Sequence, residues 1–169
     1  SNGTTMPSDL MTLSLTGRTT THASIDAVEL RCIQTSDRDA LATAYLAAYP
    51  PGVAATSLSE AQQEMDDTFA DEFGVLRHDL TRVATIEDRP VGAILVVDKS
   101  IWDPQLEGPF IIDLFVHPDA RGLGVARALL DTAVHACARA GDDTLSLRVG
   151  EGTSPAALAL YTRAGFQQH

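Results

Sequence analysis

The chain is poor in positive charge: 12 Lys and Arg stand against 23 Asp and Glu, a formal net charge of −11. That balance excludes the ordinary kind of nucleic-acid binder, because phosphate backbones are gripped by a basic surface. A negative field attracts cationic amines, and it serves solubility in any case. Cysteine is scarce as well. Only Cys32 and Cys137 occur, far apart and each on an apolar stripe. They exclude a disulfide framework and read as two buried thiols of a reduced, cytoplasmic protein. The five His residues lack metal-ligand spacing, so no metal is expected. No run of about 20 apolar residues is available to span a membrane. No basic-then-apolar leader is visible either. The 169 residues therefore suit one globular domain with a real core.

The most informative stretch is Asp113-Leu-Phe-Val-His-Pro-Asp-Ala-Arg-Gly-Leu-Gly-Val-Ala-Arg-Ala-Leu-Leu130. An apolar strand runs into a turn carrying Arg121, Gly122 and Gly124, and an amphipathic helix follows. Such a turn sets bare N–H groups and the positive end of a helix dipole against an anion. Glycine, with no Cβ, lets a bulky phosphate approach the backbone. The Walker loop is excluded, because no Gly-Lys-Ser/Thr follows the glycines. The dinucleotide fingerprint G-x-G-x-x-G begins well but meets Arg127 where its third glycine belongs. The pattern Arg/Gln-x-x-Gly-x-Gly/Ala is met in full by Arg121, Gly124 and Ala126. A tight turn that needs glycines only for its geometry is the plainer reading.

A second segment, Ser154-Pro-Ala-Ala-Leu-Ala-Leu-Tyr-Thr-Arg-Ala-Gly-Phe166, carries Ala157, Leu160, Tyr161, Gly165 and Phe166 in the pattern Asn-x-x-Ala-x-x-Leu-Tyr-x-x-x-Gly-Phe, with Ser154 where Asn is usual. Locally, Ser154 suits an N-cap, Pro155 the first helical position and Gly165 the left-handed residue past the end. Together the two motifs, over about residues 27 to 166, resemble the GCN5-related N-acetyltransferases (the GNAT family).

Periodicity supplies the other elements. A strand is expected at about 9–16, and a half-buried one at Val28, Leu30 and Cys32. Ser36-x-x-Asp39 reads as a capping box opening a helix that Pro50-Pro51 ends. A second helix is expected over Ser57–Phe73, with Leu58, Ala61, Met65, Phe69 and Phe73 on one face. Glu60, Glu64, Asp66, Asp67, Asp71 and Glu72 fill the rest, as a solvated face or as an acidic wall for a cationic acceptor. Strands at Thr81–Glu87 and Val91–Val97 flank a turn at Asp88-Arg89-Pro90. Trp102 lies in a loop, either over the acceptor or capping the core edge. Phe110–His117 reads as a central strand buried on both faces, interrupted by Asp113. The following helix buries Leu123, Ala126, Leu130, Ala133, Val134 and Cys137 and ends at Gly141. Thr144–Val149 is another strand.

Pattern alone implies a mixed α/β domain with a parallel strand pair around the motif helix. The resemblance implies more: an α/β (α+β) fold whose mixed central sheet has helices on both faces and a V-shaped splay between two central parallel strands. It implies acetyl-CoA as co-substrate and a small-molecule or peptide amine as acceptor. The coenzyme would lie on the backbone of Leu114, Phe115 and Val116, on the turn Arg121, Gly122, Leu123, Gly124, Val125 and Ala126, and near Ser154 and Ala157. Tyr161 matches the general acid that protonates the leaving thiolate, or it packs at the helix–sheet seam. Asp113 and Glu151 are candidates for the general base, and a structural hydrogen-bond role for Asp113 is the alternative. The function implied is direct transfer of acetyl to a primary amine; the alternative is a coenzyme-A-binding module that senses or scaffolds. Residues 1–24 read as an N-terminal extension with a tag-like start, and 25–169 as one acetyltransferase-like domain. Members of the family continue past Gly-Phe with two more strands, whereas this chain ends at His169. The expectation is that residues 9–16 supply that sheet edge, or that a partner chain does so in a homodimer.

Overall fold

The computed structural model describes residues 9–17, 25–150 and 152–168. In chain order the elements are β1 (Asp9–Ser14), β2 (Val28–Cys32), α1 (Arg38–Ala48), α2 (Leu58–Phe69), β3 (Arg82–Ile86), β4 (Arg89–Val97), β5 (Phe110–Val116), α3 (Val125–Arg139), β6 (Thr144–Val149), α4 (Pro155–Ala164) and β7 (Gln167–Gln168). The seven strands form one sheet in the order β2-β3-β4-β5-β6-β1-β7. Every neighbouring pair is antiparallel except β5 and β6. That parallel pair is joined by α3, the crossover a parallel connection requires.

Helices cover both faces. Leu41, Ala44 and Tyr45 of α1 with Ala61 and Met65 of α2 pack on Val83, Ala93, Leu95 and Phe115. On the other face Leu129, Leu130, Ala133 and Cys137 of α3 and Tyr161 of α4 pack with Ile94, Ile111, Val116, Leu145 and Leu147. The strand expected at 9–16 is β1. It pairs with β6 over six residues, from Asp9 opposite Val149 to Ser14 opposite Thr144. Its inward residues Met11 and Leu13 are 2% and 1% exposed, and β7 then pairs on its outer side.

Two irregularities shape the middle of the sheet. β5 and β6 share a single register pair, Phe110 with Ser146, supported by the Ser146 N–H donating to the Pro109 carbonyl at 3.2 Å. Beyond that point the ladder ends and the strands part, which is the expected splay. Against β4, Leu95 lies opposite Asp113 but Val96 lies opposite Ile111. Ile112 is therefore the extra residue of a β-bulge.

Some boundaries differ from the sequence reading. The capping contact before α1 is made by Asp37, whose carboxylate accepts the Gln34 N–H at 2.8 Å and pairs with Arg31 at 2.7 Å; Ser36 and Asp39 do not form it. Helix α2 ends at Phe69, because Asp71 turns left-handed (φ 64°) and its carboxylate accepts the Leu76 N–H at 2.9 Å. The β3–β4 hairpin turns at Glu87 and Asp88, both at positive φ, as a two-residue hairpin requires; Arg89 and Pro90 already belong to β4. Cys137 is buried but Cys32 is exposed, because β2 is the edge strand of the sheet. Leu123 is 51% exposed, since it sits in the turn ahead of α3 rather than on its buried face.

Truncating Leu13 to Ala removes a fully buried side chain from the strand that covers β6. The expected loss is about 3 kcal/mol of stability, read as a lower urea midpoint at unchanged slope.

Candidate active site

Strand β5 leads straight into the glycine turn. His117 Nδ1 accepts the Asp119 N–H at 3.1 Å and caps a single 3-10 turn, Pro118–Ala120. Gly122 and Gly124 then take left-handed φ of 81° and 80°, and Gly124 caps α3. A Cβ on Gly122 would meet nothing within 4 Å. The glycines thus meet a conformational demand, and the space above the turn is open. The first intrahelical donor is Ala128, bonded to the Gly124 carbonyl at 3.0 Å. The N–H groups of Val125, Ala126 and Arg127 therefore have no helical acceptor and remain for an anion. The turn fits a pyrophosphate. Arg121 flanks it and donates to the Ala48 carbonyl at 2.5 Å, tying the end of α1 to the turn.

The strand edge fits an extended polar chain. The His117 N–H donates to the Val91 carbonyl of β4 at 2.7 Å. By the alternation of an antiparallel ladder, Phe115 also bonds toward β4, whereas Leu114 and Val116 turn their N–H groups into the opening beside β6. Phe115 contributes its ring instead, edge-on to Tyr45 at 5.4 Å.

Asp113 sits beside that opening. The bulge at Ile112 shifts the alternation, so Asp113 lies on the α1/α2 side, where the Tyr49 hydroxyl donates to its Oδ1. Burial pushes the Asp113 carboxyl from 3.8 up to about 7; the Tyr49 hydrogen bond and the Leu114 N–H pull down against it, and the Glu64 charge adds to the rise. Tyr49 is held high by burial and then by Asp113, and so are Tyr45 and Tyr161. All three are phenols, hence donors, at neutral pH. Tyr49 stacks edge-on against Tyr45 at 5.3 Å.

Of the acidic residues on α2, Glu64 is the one whose charge reaches Asp113. Its Oε2 is buried and has no hydrogen-bond partner among the described residues, and burial raises its pKa. Asp66 is neutralised by Arg38 at 2.7 Å, and Glu60 accepts the Thr56 N–H at 3.0 Å.

Tyr161 projects from α4, 8% exposed, with Phe166 edge-on at 5.8 Å. The helix begins with the Ser154 hydroxyl accepting the Ala157 N–H at 3.1 Å and ends at Gly165, left-handed at φ 106°. Ser154 and Ala157 are thus joined in a helix cap. Glu151 lies outside the described residues. Trp102 is 54% exposed and packs its ring 5.9 Å from Phe110; its loop is fastened by Arg148 Nε on Asp103 at 3.0 Å.

Asp113, the glycine turn, Leu114, Val116 and Tyr161 thus gather around the opening between β5 and β6. Sequence reasoning did not bring Tyr49 or Tyr45 to the site. The available signal was their four-residue spacing on the buried side of a helix ended by Pro50-Pro51. Among the described residues no His, Cys, Asp and Glu gather as a metal site, and no helix is long and apolar enough to cross a membrane.

The raised Asp113 pKa has a stability consequence. The folded state holds this proton more tightly than the unfolded chain, so its contribution is complete below pH 4 and lost as the pH rises through about 7. Asp113→Asn is therefore expected to raise Tm at pH 8 by about 5 °C, with a much smaller gain at pH 5, by thermal melts at the two pH values.

Comparison with known proteins agrees with this fold. The chain matches the acetyltransferase (GNAT) family over residues 39–166. Curated protein sequences yield no match. Among solved structures, a GCN5-related N-acetyltransferase from Sphaerobacter thermophilus superposes with a TM-score of 0.71 at 20% identity, over 97% of this chain and 50% of that one. This chain thus spans half the length of that protein. A Pyrococcus horikoshii protein superposes with a TM-score of 0.68 at 21% identity, over 83% and 88% of the two chains. The ribosomal-protein-S18-alanine N-acetyltransferase of Escherichia coli does so with a TM-score of 0.62 at 18% identity, over 84% and 79%. With its family match covering both the glycine turn and the Tyr161 helix, the chain belongs to the acetyltransferase (GNAT) family.

Proposed function

We propose that the protein is an acetyl-CoA-dependent N-acetyltransferase that passes the acetyl group directly to the primary amine of a cationic acceptor, a small molecule or a peptide. The observation that supports it best is the opening left where β5 and β6 pair only at Phe110 and Ser146. The glycine turn stands at its mouth, and Asp113 and Tyr161 at its sides. The coenzyme supplies the activated thioester. The chain must then do three things: free an amine lone pair, stabilise an oxyanion and protonate a thiolate.

Each task has a residue. An amine at neutral pH is mostly protonated and has no lone pair to attack with. Asp113, pushed up to about 7, is basic enough to take that proton and still ionised in half the molecules at pH 7. The inward N–H of Val116 can donate to the developing oxyanion, an interaction worth about 3 kcal/mol in a dry site, while the Leu114 N–H serves the Asp113 carboxylate. Tyr161 keeps its proton and can give it to the thiolate. The charge of −11, with Glu64 beside Asp113, favours a cationic acceptor.

The test is incubation with acetyl-CoA and a panel of primary amines while free thiol is followed. Amine-dependent thiol release supports transfer; tight coenzyme binding with background release would instead indicate a binding module. Turnover is expected to fall as the pH drops through about 7, because the base becomes protonated. Tyr161→Phe is expected to lower kcat about 100-fold at unchanged acetyl-CoA affinity by calorimetry; an unchanged kcat would remove Tyr161 from the acid role.

A further inference from the structure

We infer that Tyr49 is a positioning residue: its hydroxyl donates to Oδ1 of Asp113 and keeps that carboxyl ionised for the proton of the acceptor amine. This rests on the reading of Asp113 as the general base. The contact joins residues 64 apart in sequence, and several independent features hold Tyr49 in place. Pro50 excludes the helical conformation for the residue before it, and Tyr49 is accordingly extended at φ −106°, ψ 147°. The ring is braced edge-on by Tyr45. The preceding carbonyl, Ala48, is fixed by Arg121 of the glycine turn. The end of α1 is thus clamped at two adjacent residues, one to the turn and one to Asp113.

The groups acting on Asp113 define what the hydroxyl does there. Tyr49 and Tyr45 face it from α1, Glu64 from α2 and Tyr161 from α4, with the Leu114 N–H on its own strand. Burial and Glu64 favour the protonated acid, and the largest opposing influence is the Tyr49 hydrogen bond. A donor that keeps its own proton stabilises a carboxylate without competing for the amine's proton. Without it the carboxyl would ionise less readily.

Tyr49→Phe keeps the ring and removes only the donor. The Asp113 carboxyl, assigned with Asp113→Asn, is titrated by carbon-13 NMR in wild type and Tyr49→Phe. The pH dependence of thiol release from acetyl-CoA is measured in parallel with L-lysine methyl ester as probe amine. The titration midpoint is expected to rise by about one unit in Tyr49→Phe. Thiol release should then be about fivefold slower at pH 7 and close to wild type at pH 9. A merely structural role would lower the rate equally at every pH, and that result, or an unmoved midpoint, overturns the inference. A midpoint that rises while the rate profile stays in place overturns instead the reading of Asp113 as the base.

Discussion

The constraint on which the site depends is the loss of pairing between β5 and β6. A buried strand normally satisfies its backbone on both sides, and an unpaired buried N–H or C=O carries a free-energy cost. Here β5 pairs with β4 along its length, interrupted at the Ile112 bulge, and with β6 at one residue. Among the described residues the Val116 N–H is therefore left for something that is not protein, while the Leu114 N–H serves the Asp113 carboxylate. The parting is sustained from both flanks. On the far side β6 is paired with β1 along its whole length, which anchors it in the sheet although it meets β5 at one residue. The N-terminal strand thus contributes to the site without touching it: it holds β6 in the sheet from the edge away from the opening.

The bulge at Ile112 is the second device. Along β5, Ile111, Leu114 and Val116 pack toward α3, whereas Ile112 and Phe115 pack toward α1 and α2. A regular strand would alternate strictly. The extra residue changes the phase, so Asp113 stands on the α1 side next to the splay, within reach of Tyr49. One inserted residue thus places the carboxyl, and the opening beside it determines what that carboxyl can touch.

The fold was largely legible in the sequence because its main signals are local. The Arg121–Ala126 turn announces itself through glycines at left-handed positions, α4 through its cap and its Gly165 stop, and β5 through an apolar run that only a buried strand tolerates. What was not legible depends on contacts distant along the chain. Cys32 alternates with Val28 and Leu30 like a buried residue, and only the strand order shows that β2 is an edge. By periodicity helix α2 runs four residues further at its C-terminus than it does, because the Asp71 carboxylate captures a backbone N–H from beyond the helix end. Asp113 could be singled out as an odd carboxylate in an apolar strand. Its partner could not, because Tyr49 reads as one more aromatic residue on α1 until the chain is folded.

Asp113 also shows why such a group has to be held by several elements at once. Its ionised form is disfavoured in the fold, as the rise to about 7 records, so the site works against stability at the pH where it would act. A carboxyl with that penalty relaxes toward water if the surrounding packing allows it. The packing does not: Tyr49 is fixed by Pro50 and Tyr45, α1 is bound to the turn through Arg121 and Ala48, and Phe115 beneath is locked against Tyr45. The same clamp couples the two halves of the reaction in space. The turn suited to a pyrophosphate and the carboxyl suited to an amine are both fastened to Ala48 and Tyr49, consecutive residues of one helix end. A shift of α1 would therefore displace both together, which is how a rigid helix can keep two substrates in register without touching the bond being made.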